Sequence, residues 1–273
     1  MFDVVYKLHS PHKLLKPYIH RIWIFESKYG IPNDDMKMIT PNGEVKLIIM
    51  YRSNVNCRIE NYSWDFSEHS FAIIGQTTKP AIIDPQGCFG TIGVEFRPFG
   101  AVNFFSIPLY ELTNQFYHAD EVLNRIGCEL QKRIADSKSV EEKIFILESF
   151  LLNQLFSSRK AASFIEYAAN QITLKNGVIN ISELITDTGY SKRHFDRKFK
   201  EHIGVSPKEL ARVLRFQAFY SKIAMNKNDI RDQMYDFYYD QSHFIKEFKR
   251  FTGLTPKEYF KQDNNFAKTF FEG

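Results

Sequence analysis

The sequence predicts an α+β amino-terminal domain, β-rich with added helices, followed by an all-α carboxy-terminal domain. Three observations carry that expectation. Short β-branched and aromatic runs separated by turn residues fill roughly the first 110 positions. Apolar residues then recur at helical spacing from about 111 to 157. In the last third, "SKRHFDRKFKEHIGVSPKEL" from Ser191 is rewritten as "DQSHFIKEFKRFTGLTPKEY" from Asp240, forty-nine positions on. The order of strands, helices and more helices places the domains at 1–157 and 158–261, with 262–273 as a loose tail.

Composition narrows the class. A chain of 273 residues, 44% hydrophobic and 25% charged, is globular and long enough for two domains. No apolar run approaches the roughly 20 residues that a bilayer helix needs. The opening "MFDVVYKLHSPHKLLKPY" lacks the apolar stretch and cleavage site of a secretory signal. Cys57, Cys88 and Cys128 are odd in number, far apart and without CxxC spacing, so a reducing cytoplasm is expected. Residues 171–261 hold 17 Lys/Arg against 11 Asp/Glu, whereas 1–170 are nearly neutral. Such a bias fits a polyanionic partner for that segment, and on charge alone a solvated helical surface explains it equally well.

In the first domain, "EVKLIIMY" (44–51) after the turn letters "TPNG", "FAIIG" (71–75), "AIID" (81–84) and "TIGVEFRP" (91–98) read as strands. Ile144, Leu147, Phe150, Leu151 and Leu155 share one face of an amphipathic helix. That face could be buried at home or form a dimer seam. Trp23, Phe25, Tyr51, Trp64 and Phe66 would suit the wall of a small-molecule pocket, and equally a β core.

Laying His194–Glu209 over His243–Glu258 gives eight identities in sixteen positions, far above chance, so the unit is duplicated. Ser191 and Asp240 stand as N-caps three residues before the shared His. Phe195 and Phe199, and Phe244, Phe248 and Phe251, form a core stripe at helical spacing. Gly204 and Gly253 end the two helices, and Ser206-Pro-Lys-Glu209 and Thr255-Pro-Lys-Glu258 begin the next with capping boxes. Upstream, Asn180 and Glu183 open a shorter helix in "NISELITDTGYS", with Gly189 free for a left-handed turn. "NDIRDQMYDFYYD" takes the same place before the second copy. Each unit is a helix-turn-helix, and "KELARVLRFQAFYSKIA" is a helix linking them. Held roughly 34 Å apart, the two second helices can enter successive major grooves.

These motifs resemble the DNA-binding domain of the AraC/XylS family of bacterial transcription regulators, over roughly 159–261. The resemblance implies a homeodomain-like, seven-helix domain that binds double-stranded promoter DNA and often touches RNA polymerase. Carried over by position, its base-reading places fall on Lys192, Arg193, Asp196 and Arg197 in the first helix, and on Gln241, Ser242, Ile245 and Lys246 in the second. Lys200 and Lys249 lie on the same faces. Arg193, Arg197 and then Gln241 are expected at base edges, and Lys246 at phosphate. Asp196 would orient Arg193 or Lys200 more readily than it would read cytosine. Ile245 could meet only a thymine methyl, and His194 and His243 would pack or cap. Phe237 stands where the second turn of the family has Gly, and Ile185 where the first unit has a small residue. "TPNGEVKLIIMY" with "TIGVEFRPFGAVNFFSIPLYEL" resembles an uncharacterised β-rich domain found before such modules. It implies a cupin-like barrel that senses a small-molecule effector or forms a homodimer.

Enzyme chemistry lacks a constellation. The cupin metal pattern is absent, His9, His12 and His20 lack ligand spacing, and no phosphate loop or GxSxG occurs. The cysteines read as packing rather than as the nucleophile of a DNA-repair alkyltransferase. No cofactor, no metal and no membrane partner are expected. The competing class is a DNA-associated protein governed by protein partners alone.

Overall fold

A computed structural model describes residues 4–157, 163–225, 230–262 and 264–266. Its strands are β1 (Val4–His9), β2 (Ile19–Ser27), β3 (Met38–Ile39), β4 (Val45–Arg52), β5 (Val55–Ile59), β6 (Tyr62–Phe66), β7 (Phe71–Ile74), β8 (Ala81–Pro85), β9 (Phe89–Phe96) and β10 (Phe116–His118). They pair antiparallel in two sheets, ordered β1-β2-β9-β4-β7-β10 and β3-β8-β5-β6. Helices follow as α1 (Ala119–Asp136), α2 (Val140–Ser157), α3 (Ser163–Leu174), α4 (Ile181–Asp187), α5 (Lys192–Ile203), α6 (Pro207–Met225), α7 (Ile230–Tyr235), α8 (Gln241–Thr252) and α9 (Pro256–Tyr259).

Side-chain alternation explains the layering. In β4, β7 and β9, Leu47, Ile49, Ile73, Ile92, Val94 and Phe96 join a core shared with Leu130 and Ile134 of α1 and with Leu147 and Phe150 of α2. Their neighbours Lys46, Ile48, Met50, Ala72, Ile74, Thr91 and Glu95 face a cavity walled on the other side by Val55, Cys57, Ala81 and Ile83 of the smaller sheet. The large sheet is therefore covered on both faces, which is why β9 is buried at every position. Gly93 faces Trp23 across the β2–β9 pair, and a side-chain carbon there would lie 2.0 Å from the indole ring.

The four expected strands are present, while strand pairing continues past 110, where β10 edges β7. The expected helical face of α2 is buried within its own domain: Ile144, Leu147, Phe150 and Leu151 are core residues and Leu155 packs beside them. That removes it as a dimer seam. Cys57 is buried, and burial pushes its thiol well up, whereas Cys88 and Cys128 are exposed rather than packed. The expected domain boundary borders residues 158–162, outside the described residues, as do Asn228 and Asp229 of the segment before the second unit. The tail differs from expectation at Asn264–Phe266: Asn264 and Phe266 are each 3% exposed.

Two cores serve the helical part. α3, α4 and α5 close over Ile165, Ile172, Leu184, Phe195 and Phe199, and this cluster runs on into that of the large sheet. The second unit has its own core of Phe216, Phe219, Met234, Phe244, Phe248, Phe251 and Tyr259, to which β3 contributes Met38.

Candidate nucleic-acid interface

Local chemistry sets both recognition helices. The Asn180 carboxamide accepts from the Ser182 and Glu183 amides to start α4. Gly189 makes the first turn at φ +72°. Ser191 then caps α5 through the His194 amide, and Asp240 caps α8 through the His243 amide at 2.8 Å. Gly204 and Gly253 end the helices with positive φ, their N–H groups reaching the carbonyls of Lys200 and Lys249. Phe237 turns the second unit without a positive φ, its ring against Phe219 and beneath the Lys222 ammonium. Ile185 is simply buried in the first unit. His194 stacks on Tyr190, and His243 meets Tyr238 edge-on, as packing residues do.

The aromatic stripes point inward, which turns the opposite faces out. Lys192, Arg193, Arg197 and Lys200 on α5, and Gln241, Ser242, Lys246 and Lys249 on α8, are exposed. Among the described residues, none of these six cations stands in an ion pair, although the charges of Arg197 and Lys249 reach Glu201 and Glu258. Asp196 and Ile245 are only half-exposed. Among the described residues, Asp196 forms no ion pair with Arg193 or Lys200. Ile245 lies partly against the second core, which leaves only part of its side chain for a base.

Three arginines of this region, Arg212, Arg215 and Arg250, are engaged in structure, which the sequence did not disclose. Glu247, 1% exposed, takes Arg212 Nε at 2.6 Å and Arg215 Nη2 at 3.1 Å, so α6 is ionically locked to α8. Glu209 does not close the expected capping box. Ser206 accepts its amide, but its carboxylate reaches Arg250 of α8 at 2.6 Å. Thr255 and Glu258 do form the full box, and the Thr255 hydrogen bonds hold the Glu258 carboxyl below the usual range.

A model for a helix-turn-helix domain matches residues 184–262, and one for a domain of unknown function (DUF6597) matches 7–118. Residues 184–262 are an AraC-type helix-turn-helix domain. This AraC-type domain, with its outward basic faces, makes the chain a DNA-binding transcription regulator. ToxT from Vibrio cholerae is similar over 95% of this chain and 98% of its own, at 12% identity and a TM-score of 0.45. Its form bound to an unsaturated fatty acid covers 94% and 98%, at 10% identity and 0.47. A cupin superfamily protein from Desulfitobacterium hafniense covers 34% of this chain and 77% of its own, at 10% identity and 0.27. No curated protein matches the sequence.

Beside the AraC-type domain, the β-rich domain holds the cavity described above, about 150 Å³ in volume. Of the aromatics singled out for a pocket wall, Trp23, Phe25 and Phe66 line it. Tyr51 instead turns to the helical side and donates to Glu26, and Trp64 packs on Phe116. The polar part of the wall includes Arg21, Lys46 and Glu95, beside Thr40, Asn42, Thr77 and Thr91, with Gln217 arriving from α6. Gln217 donates to Thr40 Oγ1 at 2.9 Å and the Pro41 carbonyl at 2.6 Å. Burial alone would raise Glu95, but Lys46 and Arg21 outweigh it and hold the carboxyl low; burial pushes the Lys46 ammonium down.

His20, Glu44 and Glu95 converge with their ligand atoms within 4.8 Å of one another, a grouping that sequence spacing concealed. Arg21 pairs directly with Glu95, and His20 Nδ1 meets Glu44 at 2.6 Å. Two carboxylates already balanced by Arg21 and Lys46 offer little charge to a metal ion. Among the described residues, no helix is long and apolar enough to cross a membrane.

Proposed function

We propose that the chain is a sequence-specific regulator that sets α5 and α8 into successive major grooves on one side of duplex DNA. Its amino-terminal domain, 1–157, acts as the sensing or dimerising module, and 158–261 as the reader. The observation that carries the reading is the sorting of charge. Arg212, Arg215 and Arg250 are consumed by Glu247 and Glu209, while among the described residues the cations on the outer faces of α5 and α8 stand in no ion pair. Free cations on paired, capped helices match a phosphate backbone.

Within this reading, Arg193 and Arg197 address guanine edges and Gln241 an adenine. Lys192, Lys200, Ser242, Lys246 and Lys249 position the duplex through phosphates. Asp196 accepts from a cytosine amino group, and the exposed part of Ile245 meets a thymine methyl. The apolar cavity suits a small effector, and the bacterial cytoplasm is the compartment where promoter DNA and RNA polymerase would be met. The outer side of α2, where Phe145 and Phe156 are each 71% exposed, offers apolar surface to a second copy. No catalytic step is assigned to any residue.

Titration of the full chain against a duplex it selects from a random pool, and against an unselected duplex, tests this. Affinity for both should fall steeply with salt, by roughly 0.9 log units per log unit of salt for each neutralised phosphate. The selected duplex should keep its advantage at every salt concentration. Salt-insensitive binding, or equal affinity for both duplexes, would contradict the reading.

A further inference from the structure

The cavity of the β-rich domain is not closed by that domain alone. Phe266, from the far end of the chain, forms part of its wall beside Trp23, Phe25 and Phe89. The Phe266 ring meets Phe25 edge-on with centroids 5.4 Å apart. Hydrogen bonds deliver it there. Asn264 Oδ1 accepts from the Met38 amide at 3.2 Å, and its Nδ2 donates to the Met38 carbonyl at 2.9 Å, so the carboxamide imitates one more rung on β3. Asp35 Oδ2 accepts from the Asn265 amide at 2.6 Å and the Phe266 amide at 3.3 Å.

The same segment reaches the DNA-binding domain. Asn264 Nδ2 also donates to Tyr259 Oη at 3.1 Å, and Tyr259 shares a 2.5 Å hydroxyl contact with Tyr220 on the linking helix α6. A continuous set of contacts thus runs from a ring inside the cavity to the helix that spaces the two recognition helices.

We propose that Asn264–Phe266 is a displaceable plug. A mostly apolar small molecule carrying one hydrogen-bonding group enters the cavity by taking the place of the Phe266 ring, and its entry detaches the segment from β3 and Tyr259. The inference rests on the sensing role given above to the amino-terminal domain. The chemistry follows from the wall: Ile48, Met50, Ala72, Ile74 and Phe116 are apolar, whereas Arg21, Lys46, Glu95 and Gln217 offer the polar contacts. Because plug and ligand compete, apparent affinity is the intrinsic affinity reduced by the fraction of molecules with the plug out.

The test uses the full chain and the apolar fluorophore N-phenyl-1-naphthylamine, titrated against wild type, Phe266→Ala, Asn264→Ala and Ala72→Leu. Phe266→Ala should bind about tenfold tighter or more, the scale set by the burial of an aromatic ring. Asn264→Ala, which keeps the ring but cuts the latch, should also bind more tightly, by about threefold or more. Ala72→Leu, which adds volume to the wall, should weaken binding. In wild type, saturating fluorophore should speed amide exchange at Asn265 and Phe266. Tighter binding in Phe266→Ala alone, with exchange unchanged, would mean an enlarged hole rather than a plug and would overturn the inference. Unaltered affinity in Ala72→Leu would do the same. If Phe266→Ala does not fold, Asn264→Ala and the exchange experiment decide. Duplex binding by the same wild-type sample is read separately, so a failed plug and a failed regulator are distinguishable.

Discussion

Arg197 and Arg212 are both arginines on amphipathic helices, and their surroundings give them different work. Arg212 is held by Glu247 and Glu209, while Arg197 faces solvent and stands in no ion pair among the described residues. Arg197→Ala should therefore cost about 1–3 kcal/mol at a selected duplex and much less at an unselected one, whereas Lys246→Ala should weaken both alike. Competitive binding with the two duplexes checks this, and equal loss for Arg197→Ala would make that residue a phosphate contact. The recognition faces were legible in the sequence because the repeated Phe stripe, caps and Gly ends fix which side of each helix turns out, although of the face letters themselves only Lys200 and Lys249 match. The fate of Asp196 was not legible, since pairing depends on rotamers that spacing leaves open.

His20 adds a pH dependence. Its hydrogen bond to Glu44, and then the charge of Glu44, raise its pKa above the usual 6.5. A raised folded-state value means that the pair's contribution is fully present below the unfolded value and is lost as pH rises through the folded one. Burial raises Glu44 as well, which acts in the same direction. Because His20 is half-exposed, solvent screens the effect. Denaturation of wild type and His20→Gln should show a wild-type advantage near about pH 6 that has gone by about pH 9. An advantage growing with pH would contradict it.

At the scale of elements, the helices of the repeat were legible because caps, turns and stripes are local. Asn180, Ser191, Asp240, Gly204 and Gly253 each act within a few residues of themselves. What joins the elements was not legible, because it is long-range. Glu247 meets Arg212 and Arg215 across more than thirty residues, and Glu209 leaves its own capping box for Arg250. These pairs decide how rigidly α8 sits on α6. Removing the buried Glu247 leaves Arg215 without its acid and Arg212 with Glu209 alone, so Glu247→Ala should cost about 3 kcal/mol in chemical denaturation. It should also blunt duplex selectivity, because α8 would no longer be held in register with α5. A loss under about 1 kcal/mol would show that the aromatic core alone sets that register. Strands were legible where runs were long, as in β4 and β9, and less so where pairing with a neighbour decides, as in β10, only three residues long.

At the scale of the whole molecule, the two parts are not beads on a string. The core of the first helix-turn-helix unit is continuous with that of the large sheet, Thr113 Oγ1 donates to the Gly204 carbonyl at 2.8 Å, and Gln217 of α6 lines the cavity. A change in the cavity can therefore bear on the linking helix without crossing a flexible joint. The domain order and the DNA-binding character were legible from element order and from the repeat. The seating of Asn264–Phe266 was not, because a carboxamide acting as a strand rung leaves no period in the sequence. The account's central claim is that the two recognition helices serve one side of one duplex. Hydroxyl-radical footprinting of the full chain on a selected duplex tests it most directly. Two protected patches on one side of the DNA, about 10 base pairs apart, are the predicted result. A single patch, or two on opposite sides, would contradict it.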